Sequence, residues 1–92
     1  MAALSAQQVS ASLASVPDWK IEGGELVRLY KFQDFVTALA FVNRVGKLAE
    51  AAGHHPDIDI RYNRVRLALV THDAGGLTDK DFDLAGQADK TV

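Results

Sequence analysis

The chain has 92 residues, 48% of them hydrophobic, with a formal net charge of −2 and no cysteine. That length makes residues 1–92 one domain with a single modest core. The missing cysteines exclude a disulfide framework and a thiolate metal site, and the scattered charges lack the basic stripe of a direct nucleic-acid binder. There is no charged-then-apolar leader and no apolar run near ~18 residues, so no membrane association and a cytoplasmic location are expected.

Ser5 is placed to cap a first helix, with Val9 and Leu13 at helical spacing, Leu4 as a staple partner and Pro17 as the stop. Trp19 to Glu22 alternates as a strand, Gly23-Gly24 signals a two-residue hairpin turn, and Glu25 to Phe32 returns as a longer strand. Asp34 is an N-cap for a long second helix. On it Phe35, Leu39 and Val42 form one apolar line beside Ala38, Phe41, Val45 and Leu48, a wide stripe suited to packing on a sheet. Gly53 is the expected left-handed residue that ends this helix, and Pro56 forbids its continuation.

Asp57 to Tyr62 alternates, with Ile58, Ile60 and Tyr62 on one face, and Asn63-Arg64 reads as a turn. Val65 to Thr71 then alternates with Val65, Leu67 and Leu69 inward. Ala74-Gly75-Gly76 reads as a loop, and Thr78 to Asp81 resembles a capping box for a last helix from about Asp79 to Ala88. The order is helix, hairpin, helix, hairpin, helix. It predicts an α+β fold: a four-stranded antiparallel sheet with helices packed on one face. Exposed strand edges in such a sheet are commonly managed by pairing with a second copy.

Three histidines stand out, because imidazole exchanges protons near neutral pH. His54 and His55 are adjacent, and His72 ends the second hairpin, where strict alternation turns it away from Leu67 and Leu69. Adjacent side chains share a pocket only if the backbone turns between them. Gly53 and Pro56 supply such a turn, just beyond a helix C-terminus that favours a cation. The plainer readings are a histidine-rich polar turn and an exposed strand-end histidine. Adjacent histidines chelate a metal poorly, so no metal site is expected. Glu50 lies one turn before His54 and is placed to pair with it in its charged form. Asp81 is most simply a helix N-terminal carboxylate, and Trp19 a core residue or, alternatively, a wall against a flat ligand. A pocket built this way does proton transfer and needs no cofactor.

The string Glu50-Ala51-Ala52-Gly53-His54-His55-Pro56, followed by Tyr62-Asn63, Thr71-His72 and Leu77 through Asp81, resembles the pterin-4a-carbinolamine dehydratase family. The likeness extends to Trp19, to Lys31-Phe32 with Asp34-Phe35, and to Asp83-Leu84-Ala85, nearly the whole chain from Leu4 onward. The resemblance implies a similar fold assembled as a homodimer or homotetramer. It also implies a small-molecule pterin as substrate: a 4a-hydroxytetrahydropterin dehydrated to the quinonoid dihydropterin in tetrahydrobiopterin recycling. By this resemblance His54 and His72 become the proton donors to the leaving hydroxyl, one for each face of the pterin, and His55 positions the ring. Gly53, Pro56, Val70, Thr71 and Asp73 line the pocket, with Glu50, Asp81, Trp19 and Tyr62 in support. Many animal members carry an acidic residue where this chain has Gly53, which leaves only a backbone role there. Animal members also bind a transcription factor's dimerisation helix. A protein-binding module, or another pterin role near molybdopterin metabolism, is therefore the alternative on the same fold.

Overall fold

The computed structural model describes residues 2–92. Ser5 caps α1 (Ala6–Leu13) in a capping box with Gln8, and the chain then turns before Pro17 is reached. Strands β1 (Lys20–Glu22) and β2 (Glu25–Lys31) are joined by Gly23 and Gly24, whose φ angles of 58° and 80° make the doubly left-handed turn that suits a twisted hairpin. Asp34 caps α2 (Phe35–Ala52), its carboxylate accepting from the Thr37 amide at 2.8 Å, and these Thr37 hydrogen bonds hold the Asp34 carboxyl below its ordinary range. Gly53 closes α2 at φ 62°, a left-handed backbone that costs glycine little.

Strands β3 (Asp57–Arg61) and β4 (Arg64–Leu69) form the second hairpin, and the chain ends in α3 (Asp79–Asp89). The two hairpins join along their second strands, giving an antiparallel sheet ordered β1-β2-β4-β3. Leu26 and Tyr30 of β2 and Val65, Leu67 and Leu69 of β4 lie under Ala38, Phe41, Val45 and Ala49 of α2 and Phe82, Leu84, Ala85 and Ala88 of α3. The helices share that face, as the alternation predicts, and the α+β architecture is the expected one.

Three details differ from the expectation. The second turn is Tyr62-Asn63, not Asn63-Arg64, because Arg61 pairs with Arg64 and Tyr62 takes up a positive φ of 52°. Asn63 explains this register: its side chain donates to the Phe32 carbonyl at 2.8 Å while its own carbonyl accepts from the Phe32 amide, locking the turn to β2. Tyr62 is therefore a turn residue and not an inward strand residue. The outer line of α2 is only partly covered: Val42 packs against the core, but Phe35 is 43% and Leu39 41% exposed, with Val36 beside them at 74%. Finally, β4 stops at Leu69, and His72 opens a 3₁₀ turn, His72–Ala74, instead of ending a strand.

Candidate functional site

The C-terminus of α2, the end of β4 and the start of α3 converge on one cleft of about 310 Å³, at the small end of the roughly 300–1,000 Å³ usual for small-molecule sites. Gly53, His54, His55, Val70, Thr71, His72, Asp73 and Lys80 line it. All three histidines therefore meet, together with four of the five residues expected to line a pocket. Pro56 is not among the residues that line it. Larger hollows of about 520 and 740 Å³ lie elsewhere; the histidine cleft stands out by its chemistry.

Its foundation is Asp81. The carboxylate is completely buried, and His54 beside it is 11% exposed, the two meeting at 2.5 Å through Nε2. The other carboxylate oxygen accepts from the Thr78 amide at 2.9 Å and the Thr71 hydroxyl at 2.8 Å. With its proton committed to Asp81, Thr71 accepts at 2.8 Å from the Thr78 hydroxyl, whose oxygen in turn accepts from the Lys80 amide. Asp81 is thus both the helix-capping carboxylate that the sequence suggests and the partner of His54. The donors give both oxygens of this buried carboxylate a hydrogen-bond partner. It fixes the His54 tautomer, with Nε2–H donating, and leaves Nδ1 as the nitrogen open to a ligand.

Glu50 does not pair with His54. From the last turn of α2 it reaches the Nε2 of His55 instead, because the left-handed Gly53 swings His54 inward toward α3 and leaves His55 on the rim. Both members of the Glu50–His55 pair are more than half exposed, so its attraction is screened. His72 lines the same cleft, exposed, on a short loop pinned where Thr71 and Gly76 exchange backbone hydrogen bonds. The start of the chain buttresses that loop: the Leu4 amide donates to the Leu77 carbonyl at 2.7 Å. Among the described residues no three His, Cys, Asp or Glu side chains come together as a metal-binding group.

Two expected supports lie elsewhere. Tyr62 sits at the far end of β3, roughly 16 Å away for five residues at about 3.3 Å each. Trp19 is core: its indole N–H donates to the two Asp89 oxygens at 3.0 and 3.1 Å, and its ring meets Tyr30 edge-on. Lys80 escaped the sequence reading. The available signal was its place inside the capping box, which puts it on the first turn of α3 beside Asp81.

Comparison with known proteins gives a consistent picture. The family described as "Pterin 4 alpha carbinolamine dehydratase" matches residues 2–91. A protein of Acidobacterium capsulatum named "Putative pterin-4-alpha-carbinolamine dehydratase" is 64% identical over 85 residues, 92% of each chain. One of the same name from Chloroflexus aurantiacus is 60% identical over 92 residues, covering 100% of this chain and 99% of that one. The crystal structure of a transcriptional coactivator/pterin dehydratase from Brucella melitensis superposes with a TM-score of 0.91 at 31% identity, covering 96% of both chains. A pterin dehydratase-like protein described as a RuBisCO assembly factor in the alpha-carboxysome shares the fold at a TM-score of 0.64 and 20% identity, over 78% of this chain and 83% of that one.

Proposed function

We propose, from the premise that this chain belongs to the pterin 4 alpha carbinolamine dehydratase family, that it dehydrates a 4a-hydroxytetrahydropterin to the quinonoid dihydropterin. The observation that carries the reading is the Asp81–His54 pair at 2.5 Å in a cleft that His72 also lines. The reaction breaks the C4a–oxygen bond and removes the N5 proton, so that C4a=N5 forms and one water leaves. A proton must reach the departing hydroxyl, and another must be taken from N5.

His54 holds its Nε2–H on a buried carboxylate. That arrangement orients the ring, so that a proton carried on Nδ1 is aimed at the hydroxyl. His72, in the same cleft, serves the other face of the pterin. His55 on the rim positions the ring and takes part in proton traffic. The Gly53, Val70 and Thr71 backbone and the Asp73 carboxylate accept hydrogen bonds from the amino and amide edge of the pterin. The proposal uses no cofactor: acid–base groups of this kind typically contribute roughly 10²–10⁴-fold.

Tetrahydrobiopterin recycling in the cytoplasm is the setting in this reading, and association into a homodimer or homotetramer is part of it. The exposed Phe35, Val36 and Leu39 line of α2 also favours a second reading, in which the chain works through protein contacts. No helix among the described residues is long and apolar enough to cross a membrane.

Stopped-flow absorbance of the carbinolamine, generated in place by an aromatic amino acid hydroxylase, tests the assignment. Accelerated loss at catalytic protein concentration is expected, with His54→Ala and His72→Ala each slower and still folded. No acceleration by the folded parent protein would move the assignment to the protein-binding reading. Parent-like rates in both variants would overturn the histidine roles.

A further inference from the structure

The face of the sheet turned away from the helices carries a row of cations that folding does not explain. The register sets Lys31 opposite Arg64, and Arg64 opposite Arg61. All three point away from the core, because Val65, next to Arg64, is wholly buried beneath the helices. Like charges directly opposite one another across strands are destabilising. Arg66 adds a fourth cation one pleat along. The answering carboxylates are Asp59, at 3.1 Å from Arg61, and Glu22, at 3.5 Å from Arg66; among the described residues none meets Lys31 or Arg64. Cations do protect exposed strand edges, but Arg64 has a paired neighbour on each side.

The same place is hollow. A depression of about 520 Å³ is lined by Leu29, Arg61, Tyr62, Arg64, Arg66 and Asp59, among others. Leu29 is 59% and Tyr62 69% exposed on it. Tyr62 occupies a positive φ, a conformation that a bulky residue adopts at a cost and that recurs at binding sites. Arginine forks match phosphate oxygens in pairs, an aromatic ring offers a stacking surface, and the Asp59 carboxylate accepts from an N–H edge.

We propose that this hollow is a second site, separate from the histidine cleft, for a phosphorylated planar heterocycle with an N–H edge. The phosphate lies across Arg61 and Arg64, the two arginine forks that line the hollow beside Tyr62. The flat ring lies against Tyr62 and Leu29, with its donor edge toward Asp59.

Amide chemical-shift titration at low salt tests it, with guanosine 5′-monophosphate, guanosine and inorganic phosphate as probes. The nucleotide is expected to shift amides at Leu29 and at Arg61 to Arg66, and to bind about tenfold tighter than phosphate. Guanosine is expected to leave them unmoved. Arg64→Glu, and the milder Arg64→Gln, should each weaken the nucleotide about tenfold or more. Tyr62→Ala should bring it down to the affinity of phosphate. Absent shifts, shifts unchanged in both Arg64 variants, or shifts confined to the histidine cleft would overturn the site. Equal affinity for phosphate and nucleotide would overturn the heterocycle. A thymidine oligonucleotide binding more tightly than the mononucleotide would assign the face to a nucleic-acid strand and overturn the small-ligand reading.

Discussion

Asp81 and Asp89 sit on one helix, about 12 Å apart along its axis at about 1.5 Å per residue, and each gathers several hydrogen-bond donors of different kinds. At the N-terminal end the donors to Asp81 are a backbone amide, a hydroxyl and one histidine. The helix dipole already favours a negative charge there. Few side-chain cations are needed, and one oxygen remains for an imidazole that must itself gain and lose a proton. At the C-terminal end the dipole opposes a carboxylate. Asp89 is held instead by the Arg28 guanidinium at 2.8 Å, the Trp19 indole and the Tyr30 hydroxyl. Arg28 in turn lies over the Tyr30 ring at 4.2 Å. Saturated by fixed donors, Asp89 ties β2, the approach to β1 and α3 together and has nothing left to offer a ligand. The same side chain on the same helix thus supports chemistry at one end and structure at the other, according to whether the backbone or the side chains hold it.

The comparison can be broken by variants that confuse the two ends. The largest expected effect is on rate. Asp81→Asn keeps the shape but cannot anchor a charged His54, and dehydration should fall about 10²-fold with the fold retained by circular dichroism; a parent-like rate would make Asp81 merely a cap. Next comes stability. Asp89→Ala strands three donors and should cost about 3 kcal/mol in urea unfolding, with the rate per folded molecule unchanged. A large rate loss would mean that the two ends are not separate.

The third effect is a pH dependence. Burial, and after it the hydrogen bond and charge of Asp89, push the Tyr30 hydroxyl well above its ordinary value of 10.0. The unfolded chain therefore loses this proton first. The associated stability is fully present below about pH 10 and is lost as pH rises beyond it. Urea midpoints between pH 8 and 11 should fall more steeply in the parent than in Tyr30→Phe; parallel curves would remove Tyr30 from the account. The smallest effect belongs to the rim. Glu50→Gln removes only a screened, exposed pair, so the rate should stay within about twofold, and a larger loss would give Glu50 a role that its exposure does not suggest.

Much of the frame was legible because it is local. Ser5, Asp34 and Thr78 cap helices by contacts within three residues, Gly23-Gly24 makes its own turn, and Val65, Leu67 and Leu69 alternate as buried strand residues must. The meeting of the three histidines was legible through motif resemblance more than through spacing. What stayed hidden was either long-range or unusual. The contacts of Asp89 span 59 to 70 residues of chain; the one local hint was an acid at a helix end that repels it. Tyr62 in a left-handed turn belongs to no common turn pattern, and its partner in holding the register, Asn63, reaches back to Phe32. Helical spacing points Glu50 at His54, but that spacing stops applying at Gly53, where the backbone reverses hand and Glu50 meets His55 instead.

The contact between Trp19 and Asp89 has an optical consequence. The chain has one tryptophan; its ring is buried in the core and its indole N–H donates to the partly buried Asp89 carboxylate. Its fluorescence therefore reports the last turn of α3 directly and the histidine cleft only through α3. A change in emission when a ligand fills the cleft would mean that α3 moves as a rigid rod, carrying a displacement at Asp81 through to Asp89.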